Sequence, residues 1–187
     1  AEVEPADYEF VCTPTGDEPD ELFAHWRALG ELLGRPIRPI VHHLGLNGLI
    51  TAQNALPNWR QRWCTRMLKI EPFRAYLVEN SPCTSYVGLR ADEEGRAGGV
   101  YDDVAGVTMR FPLREWGWGL EEVLGYLAFR GVEIPKRTDC DRCFFQTLYE
   151  WYELWRDKPH KYAHAEGQEA RVGHTFRSPG RERNPPR

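Results

Sequence analysis

Cys140 and Cys143 stand three positions apart at the head of "CDRCFFQTLYEW". Thiols at that spacing can chelate one metal ion or share one disulfide. A helix running from about Cys143 to Arg156 would bring its dipole to bear on them and favour their thiolates. The thioredoxin-type use of such a pair belongs at the first strand-to-helix turn of a small α/β domain, whereas this pair lies after several elements. A structural zinc site brings a second Cys or His pair at short spacing, and none is nearby in the sequence. His42 and His43 adjoin on an extended segment, so their side chains point to opposite faces and do not share an ion. Cys64 is the better partner, because "NWRQRWCTRMLKIEPF" places it near the start of a helix among Arg60, Arg62, Arg66 and Lys69. Cations suit an iron–sulfur cluster, whose net negative charge and potential respond to nearby donors. They equally suit the solvated face of an amphipathic helix. The motifs alone leave cluster, zinc and redox pair open.

The elements that must position these thiols alternate. "YEFVC" reads as a strand and "TPTGDEP" as a turn, and a helix from about Pro19 to Leu33 carries apolar residues at Leu22, Phe23, Trp26, Leu29 and Leu33. "RPIRPIVHH" supplies a second strand, a basic amphipathic helix covers about 62 to 78, and "SYVGLR" (85 to 90) makes a third strand. Residues 91 to 103 are polar and Gly-rich, as surface loops are, and "GVTMRFPL" resumes extended structure. Leu120, Val123, Leu124 and Leu127 share one helical face that Gly131 can end. Strands alternating with helices predict the α/β class, a mainly parallel sheet flanked by helices. The aromatic spacing Leu148, Trp151, Tyr152 and Trp155 predicts a helix packed on the core or against a second subunit, hence a homo-oligomer as one expectation.

The totals narrow the classes. The 187 residues suffice for one domain, expected over 1 to 170, with an Arg- and Pro-rich tail over 171 to 187. A formal charge of −4 argues against a uniformly basic surface but leaves room for local patches. No run reaches the length a membrane span needs, so no membrane partner is expected. Five cysteines without an export signal point to metal or redox chemistry in a reducing, cytoplasmic setting. Cys12, in an apolar strand, reads as a small buried hydrophobe, and Cys83, in "SPCTS", as a bystander.

Several blocks, in order, resemble the phosphoadenosine phosphosulfate (PAPS) reductase family of the adenine nucleotide alpha hydrolase, or PP-loop, superfamily. "PTGDEPDELFAHW" resembles the family's Asp-Thr-Gly segment, with Pro14 where the Asp usually stands. "CTRMLKIEP" resembles the Cys block ending in Lys-(Val/Ile)-Glu-Pro, and "YVGLRADEEGR" the Gly-Leu-Arg segment with its downstream Arg. "FPLREWGWGLEEVLGYLAFRGVEIP" is similar to the pattern ahead of the late CxxC. The resemblance spans residues 8 to about 157. It implies an adenine nucleotide alpha hydrolase-like fold, here without the first strand and phosphate-cradling loop that would precede residue 8.

In the iron–sulfur branch an adjacent Cys pair and a later CxxC hold a [4Fe-4S] cluster. Here Thr65 follows Cys64, so the resemblance implies a three-cysteine cluster on Cys64, Cys140 and Cys143, with zinc as the alternative metal. It further implies an adenine nucleotide (ATP, APS or PAPS) near Thr15, Gly16, Lys69, Arg90 and Arg96, the two arginines neutralising phosphate. The family's C-terminal Glu-Cys-Gly-(Leu/Ile)-His motif has no counterpart after Cys143, and thiol-dependent reduction lacks its nucleophile. No catalytic residue is assigned. The expected function is iron–sulfur-dependent sulfur transfer to a nucleobase or nucleic-acid acceptor, with a sulfur donor as a further partner. Two alternatives stand beside it: sulfonucleotide reduction with an external thiol, and a non-catalytic nucleic-acid-binding scaffold, which the Arg-rich tail and the Trp59–Lys69 stretch would suit.

Overall fold

The computed structural model describes residues 7–96, 101 and 103–177. It has mixed helices and small parallel sheets, consistent with the α/β class. The strands are β1 (Phe10–Cys12), β2 (Ile37–Pro39), β3 (Cys83–Tyr86) and β4 (Val107–Arg110). They form two separate two-stranded sheets among the described residues, where the alternation predicts one larger sheet. Both pairs are parallel, with Phe10 opposite Ile37 and Cys83 opposite Val107. Parallel neighbours need a crossover, and α1 (Asp20–Leu33) supplies the one between β1 and β2.

The chain divides into two compact units, each gathered from three stretches. The first takes the chain up to Cys12, Ala24–Ile40 and Ile70–Lys136, so it holds all four strands. It also contains α4 (Glu71–Glu79), α5 (Pro112–Glu115) and α6 (Leu120–Phe129). Its core sets Leu77, Tyr101 and Val104 against Phe73, Tyr76, Val107 and Met109. Helix α6 ends where the sequence predicts, with Gly131 in the left-handed region at φ 67°.

The second unit takes Thr13–Phe23, Val41–Lys69 and the chain from Arg137 onward. Its helices are α2 (Gly45–Gln53), α3 (Trp63–Thr65), α7 (Leu148–Asp157) and α8 (Pro159–Val172), together with the first turn of α1. One core joins Leu46, Leu49 and Ile50 of α2 to Leu56, Trp63, Leu68, Ala165 and Phe176, with Trp151 packed on it. Phe176, within the stretch expected to be tail, is 1 % exposed. A buried Phe is worth on the order of 2 to 3 kcal/mol of apolar transfer, enough to hold the chain end down after α8. The remainder of the tail, with Arg181, Arg183 and Arg187, lies outside the described residues.

The basic helix of the sequence reading is present as α3, a π-helical turn over Arg66–Ile70, and α4. Such turns insert an extra residue into the helical repeat and are frequent at functional sites. No described helix is long and apolar enough to cross a membrane.

Candidate functional site

Cys64, Cys140, Cys143, Thr15, Gly16 and Lys69 all fall in the second unit, while Arg90 and Arg96 fall in the first. Cys12 and Cys83 are also in the first unit. All five thiols are partly buried.

The segment carrying the CxxC is not helical. Cys140 and Cys143 lie in consecutive turns, and α7 begins only at Leu148. The reason is local: Thr147 Oγ1 accepts the Glu150 amide at 3.1 Å while Glu150 Oε2 accepts the Thr147 amide at 2.7 Å. This reciprocal cap starts the helix at Leu148. The predicted helix-dipole support of the thiolates therefore does not apply, and burial governs them instead. Burial pushes the Cys140 thiol up to about 12, with the negative charge of Glu18 adding to the effect. Cys64 and Cys143 are raised by burial as well, the first opposed by Lys69 and Arg62 and the second by Arg137.

These sulfur atoms are electrostatic neighbours. The Cys64 charge acts on Cys143, the Cys143 charge acts on Cys140, and the Lys69 ammonium acts on both Cys64 and Cys140. Among the described residues no three His, Cys, Asp or Glu side chains stand in an arrangement that holds a metal ion as they are. The donor types nonetheless suit a soft metal, since the three thiols lie in one unit with Lys69, Arg62 and Arg137 acting on them and no imidazole among the predicted ligands. Arg137 Nη2 donates to the Cys140 carbonyl at 2.9 Å, fixing the loop's first residue.

Thr15 is the hinge between the thiols and a buried acid. The Glu18 carboxylate, 6 % exposed, accepts the amides of Thr15, Gly16 and Asp17 at 2.7, 2.9 and 3.2 Å. It also accepts the Thr15 hydroxyl at 2.9 Å. A hydroxyl has one proton, and Thr15 spends it on the carboxylate. The contact of 3.1 Å between Thr15 Oγ1 and Cys140 Sγ is therefore S–H donating to oxygen. The Thr15 carbonyl in turn accepts the Leu46 amide of α2 at 2.8 Å. Gly45 sits there at φ 58°, and a Cβ would lie 3.3 Å from that carbonyl oxygen.

The two residues inside the CxxC, missed from the sequence, carry the loop's position. Arg142 is 3 % exposed and forks onto the Asp17 carboxylate, donating through Nε at 3.0 Å and through Nη2. It also donates to Gln168 Oε1 and Asn47 Oδ1, both at 2.8 Å. Asn47 Oδ1 accepts Gln168 Nε2 at 3.0 Å too, so α2, α8 and the CxxC loop share one polar knot. Burial raises Asp17, against the opposing pull of Arg142. Asp141, 3 % exposed, pairs with Lys161 and, at 3.7 Å, with Lys158. Burial alone would lower Lys161; the Asp141 carboxylate more than reverses that and holds the ammonium above its usual value. An acid–base pair within a CxxC is the available sequence signal, but its partners lie far away in the chain.

Arg90 and Arg96 occupy an exposed acidic loop. Arg90 Nε donates to Asp92 Oδ1 at 2.8 Å, and Arg96 pairs with Glu93. No protein-family model, curated protein or solved structure matches this chain.

Proposed function

We propose that this protein is an adenine nucleotide alpha hydrolase-like, PAPS reductase-related enzyme of sulfur transfer, in which Cys64, Cys140 and Cys143 hold an iron–sulfur cluster. What carries the reading is the gathering of three thiols from two distant stretches into one unit, with Lys69, Arg62 and Arg137 acting on them. The bound group would supply sulfur or electrons. The chain's own work is to keep the donors apart from bulk water and to move protons from them. Each thiol must lose a proton to ligate, and Cys140 is held protonated by burial and by the nearby negative charge of Glu18. Lys69, Arg62 and Arg137 favour the thiolates that result. Arg142 and Asp141 hold the backbone between the two ligands, as outer-shell residues orient a metal site.

An adenine nucleotide as activating co-substrate belongs to this reading. Lys69 is exposed and suited to a phosphate. A phosphate approaching the amides of Thr15 and Gly16 would have to displace the Glu18 carboxylate that already takes them. Arg90 and Arg96, in the other unit, are engaged by Asp92 and Glu93.

The test is anaerobic purification followed by iron and labile-sulfide analysis and an absorption spectrum around 400 nm. Iron with sulfide that is lost together in Cys64→Ser, Cys140→Ser and Cys143→Ser supports the reading. Stoichiometric zinc, or iron retained in all three variants, overturns it.

A further inference from the structure

The strongest unexplained surface is the stretch between Asn58 and Lys69. From Asn54 to Ile70 the chain has four cations, Arg60, Arg62, Arg66 and Lys69, and no acid, in a protein of net charge −4. All four are exposed. Several exposed cations elsewhere are matched by carboxylates: Arg74 by Asp103, Arg110 by Glu115 and Arg156 by Asp157. Among the described residues no ion pair engages Arg60, Arg62 or Lys69.

This stretch is also shaped. Asn58 Oδ1 accepts the amides of Arg60 and Gln61, both at 2.9 Å, closing a tight turn. That turn presents the Trp59 ring, 50 % exposed, with the Arg60 guanidinium 4.8 Å from its centre. A few residues on, Arg62 lies over Phe145 at 5.3 Å, beside the CxxC segment. Lys69 and Arg62 act electrostatically on Cys64, so the cationic surface borders the thiols.

We propose that the Trp59–Lys69 surface binds single-stranded nucleic acid. Arg60, Arg62 and Lys69 meet successive phosphates and Trp59 stacks under a base. Exposed cations with an accessible indole are the two components of such sites, one reading the backbone and the other any unpaired base. A duplex would keep its bases stacked inside and leave Trp59 unused. Under the sulfur-transfer reading, on which this last step rests, the strand brings its nucleobase to the thiol site as acceptor; the binding surface itself does not depend on the thiols.

The experiment is fluorescence anisotropy with a labelled oligo(dT) of about 20 nucleotides, titrated at several KCl concentrations. Wild-type affinity should fall linearly on a log–log plot of salt. The double variant Arg60→Glu/Arg62→Glu should lose more than about tenfold in affinity near 0.1 M salt and flatten that slope by about 1.4. Trp59→Ala should lose about fivefold or more with the slope unchanged. Arg60→Lys/Arg62→Lys should bind close to wild type, and circular dichroism melting of every variant should match it.

Equal binding of a duplex of the same length overturns the assignment. So does unchanged affinity in the Arg60/Arg62 double variant, or an equal loss in the control Arg27→Glu, outside this stretch. Equal competition by poly-glutamate would make the surface a site for acidic protein instead. Failure of the thiol reading shows separately, as oligonucleotide binding that persists in a protein without iron or sulfide.

Discussion

Arg142 and Arg96 both pair with a carboxylate through a short charged contact, yet they sit in opposite surroundings. Arg142 is 3 % exposed and its partner Asp17 is 9 % exposed, while the side chain of Arg96 is 66 % exposed. Water screens the second pair and competes for it; the first has no solvent to fall back on. The same pairing is therefore a structural commitment in one unit and a minor trim on the other. Removing one member of a buried pair strands the other charge, whereas removing a surface member returns its partner to water.

The comparison breaks most visibly at Asp17. Asp17→Asn should destabilise the protein by about 3 to 5 kcal/mol in urea unfolding, because Arg142 keeps its burial and loses its counter-charge. Replacing Arg142 and Asp17 together by Met and Leu should recover much of that loss, since an apolar pair leaves no stranded charge. A single Asp17→Asn variant as stable as wild type would make the buried pair equivalent to the surface one.

The thiols extend the contrast to pH. Cys140 stays protonated in the folded state up to about pH 12, while an unfolded Cys ionises near 8.5. The folded chain then holds more protons than the unfolded one between those values, so stability falls as pH rises through that window. In metal-free protein, alkylation of Cys140 by iodoacetamide at pH 8 should be about 100-fold or more slower than that of a small-molecule thiol, read by peptide mass spectrometry. Glu18→Gln should speed it by removing the adjacent negative charge.

The smallest effect belongs to the surface loop. Arg96→Ala should shift stability by no more than about 1 kcal/mol, and by less in high salt, as thermal melting would show.

Local order was largely legible in the sequence. The apolar spacing of α1 and α6 and the Gly131 stop depend on neighbours a few residues away, and these elements stand where the periodicity places them. The start of α7 is set by the Thr147–Glu150 cap, a signal that is local and present in the sequence but that apolar periodicity does not carry. Strand position was less legible: residues 85 to 90 read as a strand, but pairing with β4 selects Cys83–Tyr86. Pairing is a long-range choice that a single segment does not encode. The same holds for the site. Three thiols and a basic run could be named from residue type and spacing, but the partners of Arg142 come from residues 17, 47 and 168. Nothing short-range announces that meeting.

The carboxylate of Glu18 acts as a tethered competitor. Any free oxyanion reaching for the amides of Thr15, Gly16 and Asp17 meets a rival attached to the same loop, at an effective concentration in the millimolar range or above. A dilute phosphate ester loses that contest unless it brings contacts of its own, so the loop screens its visitors by what else they can hold on to.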